Sequence, residues 1–591
     1  MQGRNETGSD PTMAAAAIGV AAGLGVVAVA LIEWPVVVWS TLHGRPALMD
    51  PWMALGGALR VVFTRQLAAP RSWAPWLDAL PPRSAWIAID AVGLVLLALL
   101  VAAAAVRVDR WRGRSRLGLS SADPRRGMKS RSWAKPRDWQ HLQSRSGSRR
   151  AAGRLLTGER RVPALRGGDG WSLGRLRGVE MRSGPEMHLC VIAPTRSGKT
   201  TRVVMREAGE HVGPAVVLSN KTDVLAATAA VRAERGPVWV YAPLSDLRSL
   251  GMRGCGWTPL TGCGDWSGAL AMAQWIFDAD PGAAAASDSS GGARFYNREA
   301  VEALLPALLH AAALGDRRMA DVLGWLRGGV DALDVPRELL DGNGAQHAAL
   351  ALAGVQALDE RPRSLLSMSA AQLIGAYRHP QVQAADRRGF DPDRLLGEGG
   401  TLYLVAPEGH QELLAPIFGG LLGELLRTCE RRAQHVRDPR TLPLLKILAD
   451  EAAHLAPLAQ LPMLLSVSAG WGARWCLVFQ SIAQVRHRYG AQADAVLGNA
   501  LCKLAMGPIH DRATRDELVA LLGDELVEQT SGTDSMGSRS SVTRHEQLRP
   551  KITAEQLAML GEGEAIAIHG RDLPAIVQLP VWEPLVEASR R

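Results

Sequence analysis

Apolar and polar positions divide this chain into three regimes. Met13 to Ile32 is a run of 20 residues without a charge, and Ala85 to Val106 is a second apolar run with one acid, Asp90, near its start. At about 1.5 Å per residue each run reaches roughly the 30 Å of a bilayer interior, which predicts two transmembrane helices. The first lacks the strongly basic start of a cleaved signal peptide, and its apolar stretch is long for one. From 107 to about 178 the periodicity dissolves among Arg, Ser, Gly and Trp, as expected of a linker that begins to fold near Leu155. Beyond Met187 short apolar runs (HLCVIAP, PAVVLSN, PVWVYAP, GTLYLVAP, LLKILADE, ARWCLVFQ) alternate with helical stretches, and each run ends in polar, Gly or Pro residues. Buried parallel strands with a site at their carboxyl ends have this pattern.

Between about Asp265 and Asp393 the strand signal gives way to helical segments such as REAVEALLPALLHAAAL and LLSMSAAQLIGAY. The expected fold is α/β: a core in two parts, 179–264 and 394–591, an all-α domain at 265–393 inserted into it, and transmembrane helices at 13–32 and 85–106 on either side of a loop, 33–84. The Ser/Gly-rich stretch from Gln529 to Gln547 predicts a mobile loop.

Composition sharpens this outline. Hydrophobic residues make up 47% and mean hydropathy is near zero, the balance of a few spans attached to a large soluble body. The net charge of +9 favours a polyanionic partner. Nine basic residues between Arg107 and Arg131 follow the second run and place that side in the cytoplasm, with both termini inside. This basic linker, 107–178, suits anionic lipid and DNA equally. Six cysteines without a CxxC pair read as reduced thiols. Seven of the 67 basic residues are lysine, so each lysine position is informative.

One of them, Lys199, lies in the sequence APTRSGKTT, Ala193 to Thr201. The phosphate-loop pattern G-x-x-x-x-G-K-[ST] is complete except that Ala193 occupies its first position. Ala193, Pro194, Thr195, Arg196, Ser197, Gly198, Lys199, Thr200 and Thr201 form the candidate nucleotide cradle. Gly198 lets backbone N–H groups turn toward phosphate, Lys199 neutralises β/γ charge, and the Thr200 hydroxyl suits Mg²⁺. Alanine at the first position is tolerable where its φ is negative. Far downstream LLKILADEAAHL is a strand ending in Asp450 and Glu451, the Walker B arrangement: Asp450 to hold Mg²⁺ through water, and Glu451 as general base. Two more strand ends converge on this site, one with Ser219, Lys221 and Asp223, the other with Gln480 and Ser481. Gln480 is the candidate sensor of the γ-phosphate. ATP and Mg²⁺ are the cofactors implied.

APTRSGKT, SNKTD, FYNREAVEALLPALLHAA, RSLLSMSAAQL, TLYLVAP, LADEAAHLAPL, VFQSIAQVRHRYG and LRPKITAEQLAMLGEGEAI together, from Met187 to Pro580, resemble the type IV coupling proteins, membrane-anchored ATPases of conjugative DNA transfer and type IV secretion. The resemblance implies a RecA-like P-loop motor with an inserted all-α domain that selects substrates. It implies a homo-hexameric ring at the bacterial inner membrane that delivers relaxase-bound single-stranded DNA, or protein, to the secretion channel components. A ring also implies an arginine supplied by the next subunit; Arg474 and Arg512 are the candidates.

A double-stranded DNA pump of the chromosome-segregation type should carry a large carboxy-terminal winged-helix module, whereas about sixty residues follow Gly532. A channel-assembly ATPase should place a long soluble domain ahead of its motor. A nucleotide-gated substrate receptor with little turnover is the reading from a different class, and Glu451 argues against it.

Overall fold

The computed structural model describes residues 133–142, 170–281, 298–438, 441–455, 458–533 and 541–583, all within one compact unit, Asp123–Arg591. Both predicted spans and the loop between them lie outside the described residues. Among those described, no helix is long and apolar enough to cross a membrane.

Eleven strands form one sheet: β1 (Ser172–Leu176), β2 (Val179–Arg182), β3 (Leu189–Ile192), β4 (Ala215–Ser219), β5 (Val238–Tyr241), β6 (Thr401–Val405), β7 (Leu445–Ala449), β8 (Ala473–Phe479), β9 (Cys502–Met506), β12 (Glu564–His569) and β13 (Ala575–Gln578). Their order is β2-β1-β13-β12-β9-β3-β8-β7-β4-β6-β5. The seven strands from β9 to β5 run parallel, and the four beyond β9 are antiparallel. Continuous apolar runs form the parallel block because both sheet faces are covered. On β3, Cys190 and Ile192 enter the core on one face, while Leu189 and Val191 enter the core on the other.

Between β5 and β6 the described residues form helices, from Trp266–Asp278 to Pro392–Glu398. The helix Gln411–Gln434 then crosses the first of these closely. A Cβ at Gly423 would lie 2.2 Å from the Trp275 ring, so glycine there is a condition of the contact.

Two expectations need correction. The linker 107–178 already contributes to the core: Trp133, Trp139 and Trp171 are buried, and β1 begins at Ser172. Isolated aromatic residues in an Arg/Ser/Gly background leave no periodic signal, yet each fills a pocket against distant segments. Gln529 to Gln547 falls within an antiparallel hairpin of β10 (Asp524–Thr533) and β11 (Ser541–Pro550) and is not a loop throughout. Its ladder runs from Asp524 opposite Pro550 to Thr533 opposite Ser541, so backbone pairing overrides the weak strand propensity of its Ser and Gly.

Candidate active site

The loop Ala193–Thr201 leaves β3 at the centre of the eleven-stranded sheet, between β9 and β8. Ala193 is buried, donates its N–H to Phe479 O at 2.9 Å and is not in the left-handed region; Arg196 (φ 64°) and Gly198 (φ 80°) carry the left-handed turns. The departure at Ala193 therefore meets no steric barrier. Pro194 is half-buried, Thr195 and Arg196 are exposed, and Ser197 is buried with its hydroxyl unpartnered among the described residues. Gly198 could not be alanine: its φ is positive and a Cβ would meet Arg202 Nε at 2.9 Å. Lys199 is half-buried beside Asp450, and Thr201 Oγ1 donates to Gly198 O at 3.2 Å. A π turn, Thr200–Val204, opens the helix that continues through Met205–Glu210.

Thr200 Oγ1 lies 3.0 Å from both carboxylate oxygens of Asp450, just past the end of β7. Burial raises the Asp450 pKa to about 6, with Asp223 and Glu451 adding to the rise and Thr200 and Lys199 opposing it. Such a carboxylate needs a cation to remain charged at low cost, and with the Thr200 hydroxyl it forms a hard oxygen pair suited to Mg²⁺.

Glu451 is clamped from both flanking strands. Gln480 Nε2, after β8, donates to its Oε1 at 2.7 Å, and Asn220 Nδ2, after β4, donates to its Oε2 at 3.1 Å. Gln480 is held in turn by its own N–H, which donates to Gln484 Oε1 at 2.9 Å. Asn220 was missed in the sequence. It sits inside the SNKTD segment, where the neighbouring charges draw attention, yet Lys221 is exposed and Asp223 bonds the Val224 N–H at 2.8 Å. Ser481 accepts from Gln484 N at 3.2 Å and caps a helix.

The structure separates the two arginine candidates. Arg474 is buried near the amino end of β8, about 20 Å of strand away from Gln480. Its guanidinium donates to Pro185 O, Ala469 O and Ala473 O at 2.8, 2.6 and 3.1 Å, and burial lowers its pKa to about 10. Committed to its own backbone, Arg474 is not free to reach another subunit, which corrects the expectation. Arg512 opens the helix Arg512–Leu522 beyond the carboxyl end of β9; its side chain is 89% exposed and held only 3.5 Å from Asp516.

Behind the cradle, Glu207 on the helix and Lys446 on β7 form a buried ion pair at 2.7 Å. Ser172 N donates to Glu207 at 2.6 Å, Lys446 Nζ donates to Gly170 O at 3.2 Å and lies 4.5 Å from the Trp171 ring centre. Burial opposes the Glu207 charge, but Lys446, Arg182 and the Ser172 N–H hold its pKa below the usual carboxylate range. The opposite flank is tied to the carboxy-terminal strands: Arg202 donates to Leu579 O at 2.6 Å and to Glu562 at 2.7 Å.

Comparison with known proteins follows this division. Residues 132–261, which take in Trp133, the cradle and β5, match the family described as "Type IV secretory system Conjugative DNA transfer". Residues 444–562, carrying Asp450, Glu451 and Gln480, match "TraM recognition site of TraD and TraG". Both halves of one site thus match one kind of protein. These matches support a type IV coupling protein. It is 25% identical over 425 residues to the conjugal transfer protein TraG of Agrobacterium fabrum, covering 67% of this chain and 60% of that relative's length. Its fold is similar to the bacterial conjugative coupling protein TrwBdeltaN70 in its unbound form (TM-score 0.52, 17% identity, 71% of this chain and 90% of that one). It is equally similar to TrwB in complex with ADP and Mg²⁺ (TM-score 0.52, 17% identity, 75% and 93%).

Proposed function

We propose that this coupling protein is an ATP hydrolase that drives relaxase-bound single-stranded DNA into a type IV secretion channel. The carrying observation is the arrangement around Glu451, whose two oxygens each accept from an amide on a different neighbouring strand while Thr200 and Asp450 meet beside it. Glu451 is oriented to take a proton from a water attacking the γ-phosphate, and Gln480 couples that orientation to the end of β8. Lys199 and the N–H groups of the loop hold the phosphates. Thr200 and, through water, Asp450 would hold Mg²⁺, which when bound neutralises charge on the phosphate oxygens. The binding of ADP, Mg²⁺ and ATP analogues by TrwB supports this reading of the cradle.

The same proposal includes a homo-hexamer anchored in the bacterial inner membrane by 13–32 and 85–106, with both termini and the motor in the cytoplasm. Arg512, exposed beyond β9, is the arginine placed to complete a neighbour's site. On the helical insertion an open cavity of about 770 Å³ presents Arg327, Arg363 and Arg378, a surface suited to a polyanionic substrate.

The test is ATP hydrolysis by the full chain in detergent, with and without single-stranded DNA, beside Lys199→Ala and Glu451→Gln. Hydrolysis stimulated by DNA and lost in both variants is expected. A folded chain that binds ATP and DNA without turnover would instead make it a nucleotide-gated receptor.

A further inference from the structure

The segment Trp133–Leu142 returns to the sheet at the turn between β12 and β13. Ala134 N donates to Pro574 O at 2.9 Å and Trp139 Nε1 to Leu573 O at 3.0 Å, with the Trp139 ring buried. At this junction three metal-ligating side chains converge. His569 and Asp572 come from one tight turn, in which Asp572 N donates to His569 O at 2.9 Å. His141 arrives from 431 positions away in sequence. His141 Nε2 lies 2.9 Å and His569 Nδ1 2.8 Å from the same oxygen, Asp572 Oδ2, and the three ligand atoms all fall within 4.8 Å of one another.

We propose that His141, His569 and Asp572 form a zinc-class divalent metal site that fastens this segment to the motor. Two imidazoles and one carboxylate, with a water completing the tetrahedron, are a recognised donor set for Zn²⁺. Bond lengths of about 2.0–2.1 Å place tetrahedral ligand atoms roughly 3.3 Å apart, so the two His–Asp572 distances need to open by only about 0.5 Å, and the two imidazole nitrogens already lie within 4.8 Å of each other. Its burial is graded in the required sense: side-chain exposure is 8% for His569, 29% for Asp572 and 54% for His141, which leaves an entry path and room for water on one side. The His569 Nδ1 proton is held by Asp572 Oδ2 alone, and Nε2 is buried without a partner among the described residues. Moving that proton to Nε2 frees Nδ1 for the metal and breaks no other hydrogen bond. The missing support at Nε2 makes the site about 10–100-fold weaker than a fully buttressed one.

The location gives the site a use. The turn it would clamp leads into β13, whose following residue Leu579 accepts from Arg202 on the cradle helix, while Trp582 N donates to Thr201 O at 3.1 Å. A metal bridging His141 to Asp572 would close a loop of more than 400 residues, the case in which a clip restricts the unfolded chain most.

The full chain in detergent, stripped with EDTA, is incubated with Zn²⁺ alone, desalted and assayed for bound metal, with Co²⁺ absorption as a second readout. One equivalent retained, a melting temperature raised by zinc, and loss of both effects in His141→Ala and Asp572→Asn are expected. His141 is half-exposed, so its replacement tests the ligand without emptying the core. No retained zinc, or equal retention by the wild type and both variants, would overturn the proposal and leave a His–Asp–His hydrogen-bond cluster.

Discussion

Gln480 Nε2 donates to Glu451 Oε1 at 2.7 Å, from a strand adjacent to the one that carries Glu451. Because Asn220 holds the other carboxylate oxygen, Glu451 has little orientational freedom. Glu451→Gln should keep ATP binding and lower hydrolysis by about 10²–10⁴-fold, the range for loss of a positioned base. Gln480→Ala should leave the base chemically intact but unaimed, with a smaller loss of about 10-fold or more in kcat. Steady-state ATPase assays with nucleotide-binding controls separate the two.

Asp450 gives the site a pH signature. Its pKa rises from 3.8 to about 6 in the fold, so the folded chain holds an extra proton between these values, and this group's contribution to stability falls as pH rises through the window. A cation competes with that proton. Mg²⁺-dependent nucleotide affinity should therefore weaken as pH falls through about 6, and Asp450→Asn should lose both the affinity and its pH dependence in calorimetric titrations.

The Glu207–Lys446 pair is 2% exposed on each side, so removing one partner strands the other. Lys446→Met should cost about 3–5 kcal/mol in thermal or denaturant unfolding. A Glu207→Leu/Lys446→Met double variant should recover part of that loss. Full recovery is not expected, because Ser172 N and Gly170 O also depend on the pair.

Ala193→Gly should bring no gain in ATP affinity, since the alanine already fits, and should cost about 0.5–1 kcal/mol of stability through chain entropy. Gly198→Ala should abolish binding, because its methyl would enter the Arg202 side chain. Equilibrium binding of a fluorescent ATP analogue reads both.

Arg512→Ala should leave the melting temperature unchanged and lower ATPase activity only under conditions where the chain assembles. Arg474→Ala should do the reverse, losing stability because three backbone carbonyls lose their donor. A loss of activity without loss of stability in Arg474→Ala would return it to candidacy.

Much of the fold and site was legible in the sequence because its signals are local. Apolar runs covered on both faces announced β3 to β8, and the spacing of Gly198, Lys199 and Thr200 marked a turn that only a few residue types can make. The meeting of Thr200 with Asp450 across 250 positions was inferable from chemistry, since each is half of a metal site. What remained hidden depends on pairing over long distances. Asn220 and Lys221 are adjacent in sequence, and only strand order turns Asn220 toward Glu451. Arg474 precedes the Gln480 strand end, as a trans arginine would, but burial against its own carbonyls gives it a different task. The buried tryptophans of 133–171 and the β10–β11 hairpin carry no periodicity, so their place is set by partners hundreds of residues away or by backbone pairing. Residue type and spacing determined which chemistry this chain can perform. The tertiary structure alone decided which copy of each polar side chain performs it, because a hydrogen bond a few ångströms long is settled by the register of neighbouring strands and not by distance along the chain.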